Sequence, residues 1–374
     1  MKILFAGGGT LGPVTPLLAV AEAWQKMDPT VSFVWVGTRS GPEREIVQKA
    51  GIAFRDIPTA RLPRYPSLEW LVLPFRLLAA CFLAWRILRR ERPSLIASAG
   101  GYTAVPVIVM GWLCRIPSWI HQQDVSPLLS NRLCAPFAQC ITTAWPSSLK
   151  DFPASKTTHL GNPIRRVLLE GKKETARALF GLDDRPTVLV VGGGTGALWM
   201  NHLMEEVGPW LVKRTNVIHI TGKGKLTEPL RRIGKGYVVR ELLMPEEMSQ
   251  AYAVADLVVA RAGMGTLTEL AAWRKPSMLI PLPGSAQERN ARIVADVGAA
   301  KVVSQSAMTV NNFRNVLEDL LSDKQKQRTL SERMGALLLT DVAETFARHV
   351  QRICLAPYPG SSAISDSDPA QSVH

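Results

Sequence analysis

The chain opens twice in the same way. Ile3-Leu4-Phe5-Ala6 runs into Gly7-Gly8-Gly9-Thr10-Leu11-Gly12, and Thr187-Val188-Leu189-Val190-Val191 runs into Gly192-Gly193-Gly194-Thr195-Gly196-Ala197. Each time a short aliphatic run, the mark of a buried parallel strand, meets a cluster of glycines and then a helical stretch. Glycines at such a turn let a ligand approach the backbone, and the N–H groups at the helix start suit an anion. At 374 residues the chain is long enough for two domains, so two Rossmann-like α/β halves are expected. Further strands fit Val31–Val36, Ile52–Ile57, Leu95–Ser98, Pro117–His121, Gln139–Thr143 and Thr157–Leu160 in the first half. Asn216–Thr221, Tyr237–Arg240, Leu257–Ala260, Ser277–Pro281 and Lys301–Val303 fit in the second. Alternating strands and helices predict parallel sheets covered on both faces. Gly161-Asn162-Pro163 breaks the pattern, which puts the halves at 1–162 and 163–339. A last amphipathic helix in 340–355 is expected to return to the first half. The Ser-, Pro-, Ala- and Asp-rich stretch 356–374 reads as a disordered tail.

A third strand–turn–helix carries a carboxylate. Asp256 to Ala260 is apolar after its first residue, Arg261-Ala262-Gly263-Met264-Gly265 is a small-residue turn, and Thr266 to Trp273 has helical character. A diphosphate suits the helix start, and Glu269, within the first turns, suits the two neighbouring hydroxyls of a ribose. The first glycine loop is not a dinucleotide fingerprint. Prolines (Pro13, Pro16) sit at its helix start and no acidic residue ends the second strand, which runs into Gly37-Thr38-Arg39.

The balance of charge is +13 with 20% charged residues, which suits an anionic partner: a phosphorylated substrate or an anionic membrane. No nucleic-acid-binding motif accompanies it, so nucleic acid is not an expected partner. The five cysteines lack CxxC spacing and read as apolar fillers in a reducing compartment. Met1 to Ala6 is too short for a signal peptide, so a cytoplasmic protein is expected. From Trp70 to Arg90 the chain is densely apolar. Pro74, Arg76 and Arg86 argue against a spanning helix, leaving a helix buried on the first sheet or one lying in a membrane interface through Trp70, Phe75, Leu78, Phe82 and Trp85.

Taken together, these residues resemble the MurG family, the N-acetylglucosaminyltransferases of peptidoglycan synthesis. The matching stretches are collinear over about residues 1–350. They are Gly8-Gly9-Thr10…Gly12…Pro16, Gly37-Thr38…Gly41…Glu43, Gly100-Gly101-Tyr102…Pro106 and His121…Gln123. Then follow Gly161-Asn162-Pro163-Ile164-Arg165, Val191-Gly192-Gly193…Gly196-Ala197, Thr221-Gly222, Met248, Arg261…Gly263…Thr266…Glu269 and Gln287…Asn290-Ala291. The resemblance implies a GT-B fold, with UDP-N-acetylglucosamine on the C-terminal half and a lipid-linked muramyl-pentapeptide on the N-terminal half. It implies an enzyme peripheral on the inner face of the cell membrane, inverting at the sugar. Carried over, Glu269 would hold the ribose, and Gly263, Met264, Gly265 and Thr266 the diphosphate through backbone N–H groups. Gln287 and Asn290 would hold the sugar hydroxyls, Arg165 would offset phosphate charge and Met244 would edge the uracil. Thr10, Gly12, Gly194 and Thr195, on the glycine loops, complete the expected substrate contacts. An Asp-x-Asp occurs only in the 356–374 tail, as Asp366-Ser367-Asp368, and no cofactor is expected.

The chain departs from the family at two positions that usually carry titrating groups. Leu11-Gly12-Pro13 stands for Gly-Gly-His, and His121-Gln122-Gln123-Asp124 for His-Glu-Gln-Asn. The titrating groups left in these motifs are His121 and Asp124, which would share a helix face if the chain turned helical after His121. They are the expected catalytic pair. Two other functions remain open at this point: another membrane-associated GT-B transferase such as a diacylglycerol glycosyltransferase, or, given Pro13 and Gln122, a non-catalytic scaffold that binds a UDP-sugar.

Overall fold

A computed structural model describes residues 1–9, 11–58, 69–194 and 196–354. Thr10, Thr195 and the 356–374 tail lie outside the described residues, as does the side chain of Trp70.

The first sheet contains β1 (Lys2–Ala6), β2 (Ser32–Thr38), β3 (Ala53–Ile57), β4 (Leu95–Ser98), β5 (Ser118–Gln122), β6 (Cys140–Thr143) and β7 (Thr157–His159). It is wholly parallel in the order β3-β2-β1-β4-β5-β6-β7. Its helices are α1 (Val14–Met27), α2 (Glu43–Lys49), α3 (Glu69–Glu91), α4 (Ala104–Leu113) and α5 (Leu129–Cys134). The second sheet, β8 (Thr187–Val191), β9 (Asn216–Ile220), β10 (Tyr237–Arg240), β11 (Leu257–Ala260), β12 (Ser277–Leu279) and β13 (Lys301–Val302), is also parallel, in the order β10-β9-β8-β11-β12-β13. Around it pack α6 (Lys173–Phe180), α7 (Leu198–Leu211), α8 (Glu228–Arg231), α9 (Pro245–Val254), α10 (Met264–Ala272), α11 (Ala286–Asp296), α12 (Val310–Ser322) and α13 (Lys324–Leu337). A final helix, α14 (Ala343–Cys354), packs on α1 and buries Phe346, Ala347 and Val350 in the core of the first sheet.

The strand orders place the site. In each sheet the chain reverses direction of travel beside the central strand, between β1 and β4 and between β8 and β11. Ligands of open α/β sheets gather beyond the strand ends at such a point. Both glycine loops and the β11–α10 turn therefore lie at switch points. Two stretches of backbone cross between the halves side by side, with Asn162 N donating to Leu339 O at 2.9 Å and Ile164 N to Thr340 O at 3.3 Å. Gly161 is required there: at φ +86, an added Cβ would meet Leu339 O at 2.2 Å.

Helix α3 resolves the apolar stretch by face. Ala80, Ala84 and Leu88, at helical spacing, are at most 2% exposed and pack in the core beneath α4, whereas Leu71, Phe75, Leu78, Phe82 and Trp85 form an exposed stripe. By length and apolarity Leu71–Glu91 passes as a membrane-crossing segment. Ala80, Ala84 and Leu88 anchor its C-terminal half to the domain, while most of the segment is exposed. The cysteines divide: Cys81, Cys114 and Cys134 are free, as filler residues would be, but Cys140 is disulfide-bonded, which corrects the reading of all five as fillers.

Candidate active site

The first glycine loop is fixed from below by one buried carboxylate. Glu43, at the start of α2, is 0% exposed and accepts from Thr38 N at 2.7 Å, Thr38 Oγ1 at 2.5 Å and Gly9 N at 3.2 Å. An added Cβ on Gly8 would meet its Oε1 at 2.3 Å, so the loop closes on this carboxylate only as glycine. Gly12 lies exposed in the turn before α1. Gly194, also exposed, faces the opposite loop, since a Cβ there would lie 2.9 Å from Leu11 Cδ1. The two glycine loops therefore meet across a cleft.

On the C-terminal side, α10 starts at Gly263 with no side chain capping it, so its first backbone N–H groups face the cleft. A Cβ on Gly265 would lie 3.9 Å from Thr15 Oγ1 on α1, which sets the two helix N-termini opposite one another. Gln287 turns toward the same turn, its Nε2 3.8 Å from the Cβ position of Gly263, and its Oε1 accepts from Leu282 N at 3.0 Å. Thr266 is nearly buried, and Met264 is 5% exposed with its Sδ accepting from Trp145 Nε1 at 3.2 Å. The Met264 side chain is thus core, and only its backbone is available to a ligand. Glu269 accepts from Tyr252 Oη at 2.7 Å, and burial pushes its carboxyl up to about 7. Met244, 40% exposed, stands at the N-cap of α9.

The expected pairing of His121 with Asp124 is not what the structure shows. Residues 123–128 form bends and coil, and α5 begins only at Leu129, so no helix carries the two on one face. His121 is 0% exposed, with Nδ1 2.9 Å from Thr142 Oγ1 and Nε2 2.8 Å from Asn162 Oδ1, and Phe346 of α14 lies edge-on against it at 5.1 Å. Burial holds its pKa down to about 4. In this structure the ring is engaged at both nitrogens and shut off from solvent, bracing β5 against β6 and the Gly161-Asn162-Pro163 turn.

Asp124 is part-exposed at the cleft, and burial raises its carboxyl above the ordinary range. Its Oδ1 accepts from Asn290 Nδ2 at 2.8 Å, while Asn290 Oδ1 accepts from Val125 N at 3.1 Å. Asn290, expected to face sugar hydroxyls, is therefore 0% exposed and joins the halves. Arg165 likewise crosses the cleft to Glu22 on α1 at 2.7 Å, which turns its guanidinium to a carboxylate of this chain instead of leaving it open to phosphate.

Several residues that shape the site were given no role by the sequence. Asn162 links His121 to Thr268 Oγ1 of α10 at 2.6 Å, and Trp145 reaches Met264. Gln122 donates to Asp124 O at 2.7 Å and Ser126 O at 3.0 Å, and accepts from Asn131 Nδ2 at 2.8 Å. It is the amide that folds the loop bearing Asp124, so a position that reads as a lost acid is occupied by a scaffold residue. The Gly161-Asn162-Pro163 motif pointed to Asn162 without a role. Tyr252 and Trp145 read only as apolar positions of their segments.

Comparisons with known proteins agree along the length of the chain. The glycosyltransferase family 28 N-terminal domain matches residues 3–143 and the glycosyltransferase family 28 C-terminal domain residues 187–352. A Nocardioides sp. protein named UDP-N-acetylglucosamine–N-acetylmuramyl-(pentapeptide) pyrophosphoryl-undecaprenol N-acetylglucosamine transferase is 37% identical over 97% of this chain and 100% of its own. A Clostridium novyi protein of the same name is 33% identical over 87% and 92%. The crystal structure of Acinetobacter baumannii MurG superposes with a TM-score of 0.70 at 25% identity, covering 94% of this chain and 99% of that one. With both halves matched in order over most of their length, the chain belongs to the MurG family of GT-B glycosyltransferases.

Proposed function

We propose that this chain transfers N-acetylglucosamine from UDP-N-acetylglucosamine to the muramyl 4-hydroxyl of undecaprenyl-pyrophosphoryl-N-acetylmuramoyl-pentapeptide, with inversion. The observation that carries the reading is the uncapped start of α10, with Glu269 and Gln287 beside it, opposite the start of α1 in a chain aligned end to end with transferases of that name. The backbone N–H groups from Gly263 to Thr266 stabilise the diphosphate as it leaves, where its negative charge grows. Glu269 takes the ribose diol, Met244 borders the uracil, and Gln287 holds the sugar, joined by Asn290 once it exchanges its Asp124 and Val125 partners for sugar hydroxyls. The glycine loops, including Thr10, Gly12, Gly194 and Thr195, border the phosphates, and Arg165 adds a cation by exchanging its Glu22 partner. Asp124 takes the proton of the 4-hydroxyl as the new bond forms at the anomeric carbon and the bond to UDP breaks. Burial raises its carboxyl above the ordinary carboxylate range, which strengthens it as a proton acceptor.

The acceptor's lipid requires a surface for the enzyme to sit on, and the exposed stripe of α3 with Trp112 and Leu113 of the adjacent α4 supplies an apolar one. Arg76, Arg86, Arg89 and Arg90 on the same helix suit anionic head groups, which supports a peripheral position on the inner face of the cell membrane. Labelled donor with a synthetic muramyl-pyrophosphoryl-lipid tests the function. UDP release with that acceptor and none with diacylglycerol is expected. Release with diacylglycerol instead would assign a different transferase, and UDP binding with no turnover on either acceptor would leave only a scaffold.

A further inference from the structure

Glu269 is one half of a buried pair. Tyr252 on α9 is 0% exposed, its ring is held in the core of the C-terminal half with Leu267 and Leu270 of α10, and its hydroxyl donates to Glu269 Oε2 at 2.7 Å. The same helix begins at Met244, where Glu247 Oε2 accepts from the Met244 N–H at 2.9 Å. One rigid element therefore spans the segment assigned to the uracil and the hydroxyl that grips the carboxylate assigned to the ribose.

We propose that Tyr252 is a positioning residue for the nucleotide: its hydroxyl clamps one oxygen of the Glu269 carboxylate so that the other is aimed at the ribose diol. The inference rests on the donor reading of Glu269 given above. Three rotatable bonds separate a glutamate carboxylate from its backbone, and each rotamer fixed beforehand is one that the ligand need not fix on binding. A hydroxyl donating to a carboxylate also favours the ionised form, the form that can accept from two hydroxyls at once. The need for this is local. Burial lifts Glu269 to about 7, and the Tyr252 hydroxyl is the group that works against that rise. Burial and the neighbouring carboxylate push the phenol itself well above its ordinary range, so it remains a donor throughout the neutral region. Lys275, just beyond α10, is lowered chiefly by burial, with Asp256 and Lys173 as its charged neighbours, and Arg333 of α13 reaches toward Gly298. Among the described residues, Tyr252 is the titratable side chain that acts on Glu269.

The sign of the pH effect follows. Removing the hydroxyl raises the Glu269 pKa further, so the carboxyl protonates at a higher pH and loses its grip on the diol sooner on acidification. Calorimetric titration of UDP into wild type, Tyr252→Phe, Glu269→Gln and the double variant, from pH 6 to 9, tests this, with thermal melts to confirm folding. We expect Tyr252→Phe to weaken UDP about tenfold at pH 7. Its acidic limb should move to higher pH, and the loss should vanish in the Glu269→Gln background. A Tyr252→Phe variant with wild-type affinity and pH profile overturns the inference. So does an equal loss with or without the Glu269 carboxylate, which would make the tyrosine mere packing. Wild type that does not bind UDP overturns the donor reading itself, and this inference with it.

Discussion

Three positions separate His121 from Asp124, yet burial leaves one fully enclosed and the other at the cleft. The enclosure of His121 comes from Phe346, more than two hundred positions along the chain, and no local pattern announces that cover. The Asn290–Asp124 bond, spanning 166 residues, is equally silent in sequence. Glu269 was legible because strand, turn and helix are contiguous, so its place beside the helix start follows from spacing alone. For Asp124→Asn we expect turnover to fall about 10²–10⁴-fold with donor affinity nearly unchanged, as measured by steady-state kinetics beside calorimetry. Near-normal turnover would remove Asp124 from the chemistry. Glu269→Ala should weaken UDP-N-acetylglucosamine by about 1.5–3 kcal/mol, and unchanged affinity in a folded variant would refute the ribose contact. For His121 we expect an effect on stability. Its folded pKa, about 4, lies below the ordinary 6.5 because burial disfavours the cation. The folded state therefore binds fewer protons than the unfolded one in that window. Its contribution is intact above about 6.5 and is lost as pH falls toward 4, by about 2 kcal/mol per 1.5 pH units. Urea unfolding of His121→Gln should show a shallower loss of stability between pH 6.5 and 5 than wild type. An identical slope would mean the ring is not protonation-linked.

Among the elements, the strands were legible to within a residue or two, because runs such as Val188-Leu189-Val190-Val191 are bounded by glycines that end the pairing. Helix α1 begins at Val14, among its prolines. Pro13 is its N-cap and Pro16 falls in the first turn, where a backbone N–H has no helical partner to lose. Helix α3 was legible as a helix but not by face. The apolar stripe of Leu71, Phe75, Leu78, Phe82 and Trp85 and the buried stripe of Ala80, Ala84 and Leu88 are both apolar, so hydrophobicity alone does not separate them. The i, i+4 spacing of Ala80, Ala84 and Leu88 marks the packed side only once the neighbouring α4 is in place. Phe75 and Phe82, 73% and 56% exposed, are therefore the residues to charge. Phe75→Glu with Phe82→Glu should abolish flotation with anionic vesicles and leave thermal stability near wild type. Replacing Arg86, Arg89 and Arg90 by Gln should weaken binding by about 1 kcal/mol each and reduce its dependence on anionic lipid. Equal flotation of wild type and the Phe variants would make this face merely the outer surface of the domain.

At the scale of the whole molecule, the two halves are joined by polar pairs that sit where substrates are expected. Asp124 and Val125 meet Asn290, Asn162 meets Thr268, Lys223 approaches Glu45 at 3.5 Å, and Arg165 pairs with Glu22. The sheets and their connection were readable from a doubled motif, but these pairs join residues with no common periodicity. Their exchange for ligand groups would couple donor binding to the angle between halves. The Arg165–Glu22 pair offers a test by sign. Its carboxylate is 40% exposed and its guanidinium 17%, so as a part-solvated pair it contributes little to stability, on the order of 0–1 kcal/mol. If Arg165 leaves Glu22 to meet phosphate, the carboxylate competes with the ligand. Glu22→Gln then releases the guanidinium and tightens UDP binding a few-fold, whereas Arg165→Gln removes the cation and weakens it. A purely structural pair predicts something else, because both substitutions break the same bond and shift affinity in the same direction. Opposite shifts in UDP affinity measured by calorimetry, growing at low salt where the phosphate–guanidinium attraction is less screened, would identify Arg165 as a ligand-facing residue held in reserve. Shifts of the same sign would make the Glu22 pair a hinge fastening and take Arg165 out of the donor site.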